Sequence, residues 1–322
     1  MASDDNSRMT QQTFAAPTET SLAGATRLGD WGVIRVAGSD AASFLQNQLT
    51  NDVLQLDEAQ ARLAGYCSAK GRLLASFVIW RSAADEIMLA CSSDLLAQVH
   101  KRLSMFVLRA KCKLSDASQD VALWGLAGDA VVPDIAPWRR AKAADGGTLI
   151  RLPDARLGVV RVPRALRAVP TAEPPPVLPV LTTDAWRWLE VHSGTARIVA
   201  ATVEQFVPQM INFEIVGGVN FQKGCYPGQE VVARSQYRGT IKRRAYVGYG
   251  AAPLTPGQEV FASDDASQPV GMVVLAASMA DRHAALVELK LGAAAAELHG
   301  GAVDGPRITL GALPYDILTE PA

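Results

Sequence analysis

The sequence predicts an α+β protein that ends in a small all-β barrel. Three observations carry this. Hairpin-like runs alternate with amphipathic helical patterns up to about residue 160, a proline-rich run breaks the chain at 162–180, and short alternating apolar runs separated by turns follow from Ile241.

The elements follow in order. WGVIRVA at 31–37 reads as a short strand, and Ser39 caps a helix whose Ala41, Phe44, Leu45 and Leu49 share one face. Two apolar runs, Arg72–Trp80 and Glu86–Ala90, flank a polar turn around Ala83–Asp85 and read as a hairpin. Ser93 opens a second helix, with Leu95, Leu96, Val99, Leu103 and Phe106 at spacings of three and four. Strand-like runs continue at Lys111–Leu114 and Val121–Leu126. Residues 162–180 hold Pro163, Pro170, Pro174, Pro175, Pro176 and Pro179, which predicts an extended connector because proline lacks an amide donor. Thr183 or Asp184 then caps a helix carrying Trp186, Trp188, Leu189 and Val191, closed by Gly194. The barrel runs are Ala245–Tyr249, Val270–Leu275 and Ala285–Leu289, with a turn at Pro256-Gly257.

Composition narrows the function. With 322 residues the chain has room for two or three domains, and 49% hydrophobic against 20% charged residues is an ordinary globular mix. Lys and Arg number 31 against 32 Asp and Glu, so the net charge of −1 argues against a general nucleic-acid binder. No run approaches the roughly 20 apolar residues of a membrane span, and residues 1–20 are too polar for a signal peptide and read as a disordered tail. Cys67, Cys91, Cys112 and Cys225 show no paired spacing, the usage of a reducing, cytoplasmic compartment. No phosphate-binding loop, dinucleotide fingerprint, nucleophile elbow, HExxH or CxxC occurs, and the four histidines lie far apart, so no metal site is expected.

One segment concentrates chemistry: Asn220-Phe221-Gln222-Lys223-Gly224-Cys225-Tyr226-Pro227-Gly228-Gln229-Glu230, followed by Val231-Val232-Ala233-Arg234. Gly224 allows close approach of the backbone, and Pro227 suits the first turn of a helix running to about Gln236. Cys225 then sits just ahead of a helix N-terminus with Lys223 beside it and Arg234 following, surroundings that favour the thiolate. Glu230 suits the capping of free amides. The competing reading is a small buried filler beside a Gly-Pro turn.

The stretch from Phe206 to Arg244, above all Lys-Gly-Cys-Tyr-Pro-Gly-Gln-Glu at 223–230, resembles the signature of the YgfZ family. These are folate-binding proteins linked to iron–sulfur cluster maintenance and tRNA modification, and the family resembles the T-protein, the tetrahydrofolate-dependent aminomethyltransferase of glycine cleavage. Weaker similarity extends from about Leu28 to Leu289, through Gln48–Val53, Lys70–Leu74 and the Trp186–Gly194 helix. The resemblance implies a three-lobed aminomethyltransferase-like fold around a central folate cavity. Its parts are N-terminal α+β lobes at 21–161, the connector at 162–180, a signature segment completing the folate region at 181–240, and the β-barrel at 241–322. It implies Cys225 and Lys223 as the reactive pair, Asn51, Asp52, Glu190, His192 and Arg234 as folate contacts, and Gly224, Tyr226, Gly228, Gln229 and Glu230 as the residues that shape the motif.

The chain also departs from the T-protein pattern. Ala75 and Ser76 occupy the positions of its acidic pair, and neither side chain can serve as an acid near neutral pH, which disfavours glycine-cleavage activity. His192 stands where an acid suited to the pterin's amino groups is often found, with Glu190 two residues earlier. Asn51-Asp52 reads equally as turn chemistry, and Arg234, Arg238, Lys242, Arg243 and Arg244 as a solvated basic run or a receiver of a glutamate tail or phosphate. Trp186 and Trp188 read as core, and Tyr237 alone is too little for sequence-specific RNA stacking. The first reading is therefore a folate-binding accessory protein for iron–sulfur enzymes or their assembly proteins, including those that modify tRNA. A tetrahydrofolate-dependent one-carbon transferase on another substrate, and a folate sensor or scaffold without thiol chemistry, are the alternatives.

Overall fold

The computed structural model describes residues 22–132, 135–143, 146–173, 176–238, 241–264 and 267–317; the expected tail at 1–20 lies outside them. The chain begins with β1 (Gly24–Arg27) and β2 (Trp31–Ala37), then α1 (Ala41–Gln46) and the strands β3 (Ala61–Cys67), β4 (Leu73–Ala83) and β5 (Glu86–Ser92). Helix α2 (Ser93–Ser104), strands β6 (Lys113–Asp116), β7 (Val121–Ala127), β8 (Arg140–Lys142), β9 (Thr148–Leu157) and β10 (Val160–Pro170), and helix α3 (Thr183–His192) follow. Helix α4 (Gln229–Tyr237) leads into β11 (Arg243–Gly250), β12 (Glu259–Ala262), β13 (Gly271–Met279), β14 (Arg282–Lys290), β15 (Leu298–Gly300) and β16 (Arg307–Gly311).

These strands make two antiparallel five-stranded sheets, ordered β1-β7-β10-β9-β8 and β3-β4-β5-β2-β6, and a closed barrel β11-β14-β13-β12-β15-β16. The chain leaves the first sheet after β1, builds the whole second sheet, and returns at β7. The hairpin expected at 72–90 is present, with Ala83 paired to Glu86 across a two-residue turn. The expected apolar faces of both N-terminal helices are buried, except that Phe106 lies past the end of α2 and is 45% exposed. Helix α1 begins after Asp40 rather than Ser39, and α3 is capped by Thr182, whose Oγ1 accepts from the Ala185 amide at 3.1 Å.

The connector expected at 162–180 needs correction. Through Pro170 this stretch is strand β10, paired on one side with β7 and on the other with β9. Its prolines sit where a sheet tolerates them, Pro163 at a bulge between Val162 and Arg164 and Pro170 at the strand's end. Only the later part connects, and there Pro179 and Leu181 hydrogen-bond to Ala25 alongside β1.

One buried apolar cluster draws on both sheets, on α3 and on the near wall of the barrel, while a second fills the barrel itself. Trp186 and Trp188 are both core, as expected from the sequence. Among the described residues no helix is long and apolar enough to cross a membrane. Trp186 lies flat on Gly125 of β7, where an added Cβ would stand 2.6 Å from the indole ring. Overpacking costs about 1–3 kcal/mol, so Gly125→Ala lowers stability by that amount in urea denaturation, whereas Gly29→Ala, which meets nothing within 4 Å, leaves it unchanged.

Candidate functional site

The chemistry-bearing segments converge. The Thr50 hydroxyl donates to the Gly218 carbonyl at 2.6 Å and accepts from the Gly65 amide, while the Asn220 amide donates to the Thr50 carbonyl. Asn51 is buried, its Nδ2 donating to the carbonyls of Leu63 and Gly217 at 2.7 Å each, and its Oδ1 accepts from the Asp52 amide. Asp52 in turn accepts from the Gln55 amide. The pair thus stitches the 48–53 turn to the segment before the motif, and its side chains do turn work.

The motif loop is held from beneath. Lys223 is buried and its ammonium donates to the carbonyls of Gln46 and Leu49 at the end of α1, with the Tyr226 ring 5.0 Å away. Burial pulls the Lys223 ammonium down to about 8, against the opposing influence of Asp52 and Cys225. Lys223 is therefore first an anchor that satisfies helix-end carbonyls, rather than a dedicated thiolate partner. Tyr226 is buried beside it. Gly228 has φ +78° and lies backbone to backbone on the turn of the β3–β4 hairpin, where a Cβ would stand 2.3 Å from the Ser68 carbonyl oxygen. Gly224, expected to permit a close approach, faces open space. Helix α4 starts at Gln229, so Pro227 precedes it, and the Gln229 amide donates to the Tyr226 carbonyl.

Cys225 emerges from this pinned loop exposed, whereas Cys67 and Cys91 are buried and burial pushes both thiols up to about 12. Glu230 caps nothing; it pairs with Arg234 at 2.9 Å on the solvent side of α4. Arg234 therefore lies away from the interior. Two further members of the basic run are also paired, Arg243 with Glu288 and the buried Arg244 with Glu214.

A small cavity of about 30 Å³ lies between the two sheets, lined by Ser76 and Val78 of β4, Leu152 of β9, Arg164 of β10, and Glu190 and Arg197 around the end of α3. Glu190 faces this cavity, and Arg197 holds both of its oxygens, Nε at 2.8 Å and Nη2 at 3.0 Å, while also reaching Ser92 and Asp30. His192 points elsewhere and is not a cavity residue. Its Nδ1–H donates to the Trp188 carbonyl at 2.7 Å and its Nε2 accepts from the Tyr249 hydroxyl of the barrel. Burial, with Arg282 adding to it, draws this imidazole down to about 4 and keeps it neutral. Ala75 is core, and Ser76 accepts from the Ile198 amide at 2.9 Å, so no acid stands at these positions.

An outer cleft of about 620 Å³, lined by Asn51, Arg62, Trp138, Phe221, Gln222 and Tyr237 among others, shares Leu63 and Trp138 with the inner cavity. Trp138 holds a left-handed backbone (φ +65°) that is unusual for a bulky residue. Sequence reading missed Arg164, Arg197 and Trp138. The one available signal was an arginine flanking a proline inside an otherwise strand-like run.

Two sheets, a closed barrel and a cavity between them define the aminomethyltransferase fold class. The GCVT N-terminal domain matches residues 21–133. The glycine cleavage system aminomethyltransferase T from Bartonella henselae superposes with a TM-score of 0.69 over 92% of this chain and 87% of that one, at 15% identity, a likeness of fold. Within this class the sequence likeness is to one branch. The chain is 32% identical to the tRNA-modifying protein YgfZ of Edwardsiella ictaluri, covering 71% of this chain and 72% of that protein. To the corresponding protein of Photobacterium profundum it is 33% identical, covering 76% and 74%. The chain belongs to the YgfZ family. With Ala75 and Ser76 at the acid positions and its sequence likeness in this branch, it lacks the marks of a glycine-cleavage aminomethyltransferase.

Two outcomes follow from this geometry. Gly228→Ala costs about 1–3 kcal/mol through strained backbone and the Ser68 contact, whereas Gly224→Ala stays within about 0.5 kcal/mol, both read by denaturant midpoint. His192 is neutral when folded, yet in the unfolded chain it takes a proton below about 6.5. Unfolding therefore gains a proton between pH 6.5 and 4, so stability falls as pH drops through that window, and His192→Gln flattens that part of the pH–stability curve.

Proposed function

We propose that this protein is a folate-binding accessory factor that supports iron–sulfur cluster assembly or repair, including the clusters of enzymes that modify tRNA, with Cys225 as its reacting thiol. The observation that carries the reading is the exposed Cys225 on a loop whose neighbours Lys223 and Tyr226 are buried and hydrogen-bonded or packed from below. Such a loop presents a thiol to a partner with little further ordering at each encounter. The relatives from Edwardsiella ictaluri and Photobacterium profundum are tRNA-modifying proteins, which agrees with this. A net charge near zero fits action through protein clients rather than on bulk RNA.

Tetrahydrofolate, or a derivative of it, is the proposed ligand of the inter-sheet space. The walls suit a pterin by chemistry, with Trp31 and Phe77 as apolar faces and Ser76, Glu190, Arg164 and Arg197 as polar groups. By volume the inner cavity takes little more than a water, so the ligand occupies it together with the outer cleft, with Trp138 and Leu63 as the partition to be displaced. A reduced folate supplies a one-carbon carrier there. This chain's residues bind and orient it. Asn51 contributes by holding the cleft's wall, while His192 and Arg234 have no part in the site.

Calorimetric titration of the purified protein with tetrahydrofolate gives saturable binding in the wild type and equally in Cys225→Ala. The same substitution, in cells lacking the native gene, lowers iron–sulfur enzyme activities and tRNA thiolation severalfold under oxidative stress. Full in vivo activity of Cys225→Ala removes the thiol from the function, and no binding of any reduced folate removes the folate.

A further inference from the structure

The cavity between the sheets contains a guanidinium to which, among the described residues, no carboxylate is bonded. Arg151, Arg164 and Arg197 share one buried charge field with Asp154 and Glu190. Both carboxylates are already engaged. Arg197 takes both oxygens of Glu190, and Arg151 takes Asp154. Arg164 is 3% exposed, and among the described residues it has no carboxylate partner. Its guanidinium stacks on the Trp186 ring at 4.7 Å, makes one marginal contact of 3.5 Å to the Pro153 carbonyl, and leaves Nε without an acceptor. Trp31, another cavity residue, also has a buried ring N–H with no acceptor among the described residues.

A buried cation is costly unless something compensates it, and Arg164 joins an open Nε to a cavity wall and to the lack of a bonded carboxylate. The placement of this one is built into the sheet. Val162 stands opposite Ala155 but Arg164 opposite Leu152, so Pro153 and Asp154 of β9 bulge against the single Pro163, right where Arg164 lies beside the Pro153 carbonyl. The unused hydrogen-bonding capacity of this wall is therefore on the donor side, while its carboxylate is occupied.

We propose that Arg164 recognises the ligand of this cavity and that the group it receives is an oxygen acceptor rather than an amino edge; this rests on the folate reading above, in which that acceptor is the carbonyl oxygen of the pterin ring. A ligand that brings an amino group to this wall leaves Arg164 and Trp31 unpaired, and a buried donor without its acceptor discriminates strongly between such analogues.

Two measurements on the full-length protein test this. The Arg164 Nε–H resonance, assigned by its loss in Arg164→Lys, is followed by nitrogen-15 NMR during titration with sodium formate and, at matched ionic strength, with methylguanidinium chloride. Formate moves the resonance saturably and methylguanidinium does not; a resonance indifferent to formate overturns the proposal. By calorimetry, tetrahydrofolate binds on the order of tenfold or more tighter than its 4-amino-4-deoxy analogue, and Arg164→Lys erases most of that preference. Equal affinities for the two in the wild type overturn the role of Arg164 while leaving folate binding intact. If neither pterin binds but formate does, the acceptor site stands and the folate reading falls. Arg164→Lys keeps the charge, and a native melting temperature in that variant separates lost recognition from lost folding.

Discussion

The buried pair of Glu190 and Arg197 is the constraint around which the centre of the molecule is organised. Its guanidinium joins the end of α3 to Asp30 in the β1–β2 turn and to Ser92 at the start of α2, so three separate chain segments meet on one side chain. Its other face rests on Trp31 at 4.9 Å. A buried ion pair need not add net stability, yet removing one partner strands the other charge at a cost of roughly 3–5 kcal/mol. The pair therefore fixes the position of α3 relative to the second sheet, and with it the width of the cavity. Asp30 and Glu190 together push the Arg197 guanidinium still higher than its ordinary range, so it stays charged at every relevant pH.

A second set of contacts fixes the motif loop to the same sheet. Gly71 and Gly228 meet backbone to backbone, Val231 of α4 packs on Gly71, and Lys223 closes the end of α1. The Gln48–Val53, Lys70–Leu74 and 223–230 segments, far apart in sequence, are thus one packed unit. Cys225 is presented by a foundation built from the second sheet, not by the barrel. This couples the thiol's placement to the hairpin whose β4 strand also lines the cavity.

Much of this was legible in the chain. Apolar spacing and caps located the hairpin, the helices α1, α2 and α3, and the barrel, because alternating burial in a strand and the three-to-four spacing of a helix are local consequences of geometry. The motif pointed to the loop that the structure pins between the end of α1 and the β3–β4 turn. The direction of side chains did not follow from local pattern. Glu190 and His192 are two residues apart on α3, and half a turn of helix sends one into the cavity and the other to the barrel. Pro163 misled because proline usually marks the end of pairing, whereas here it sits opposite a bulge in β9 and β10 runs on past it. Arg234, Arg243 and Arg244 looked like an anion receiver only until their partners Glu230, Glu288 and Glu214 folded against them.

The occupied partners in the cavity also separate binding from transfer. Proton transfer needs an acid or base with a free atom near the reacting group, at a pKa near the working pH. In this cavity Glu190 is the carboxylate among the described lining residues, and a guanidinium grips both its oxygens. Ser76 commits its oxygen to the Ile198 amide, and Ala75 offers nothing. On the proposed reading the wall orients a ligand through Arg164 and Trp31, and among its described lining residues the one carboxylate is held in an ion pair. Reactivity, on that same proposed reading, lies outside this cavity, at the exposed Cys225 thiol on a loop that the same strands support.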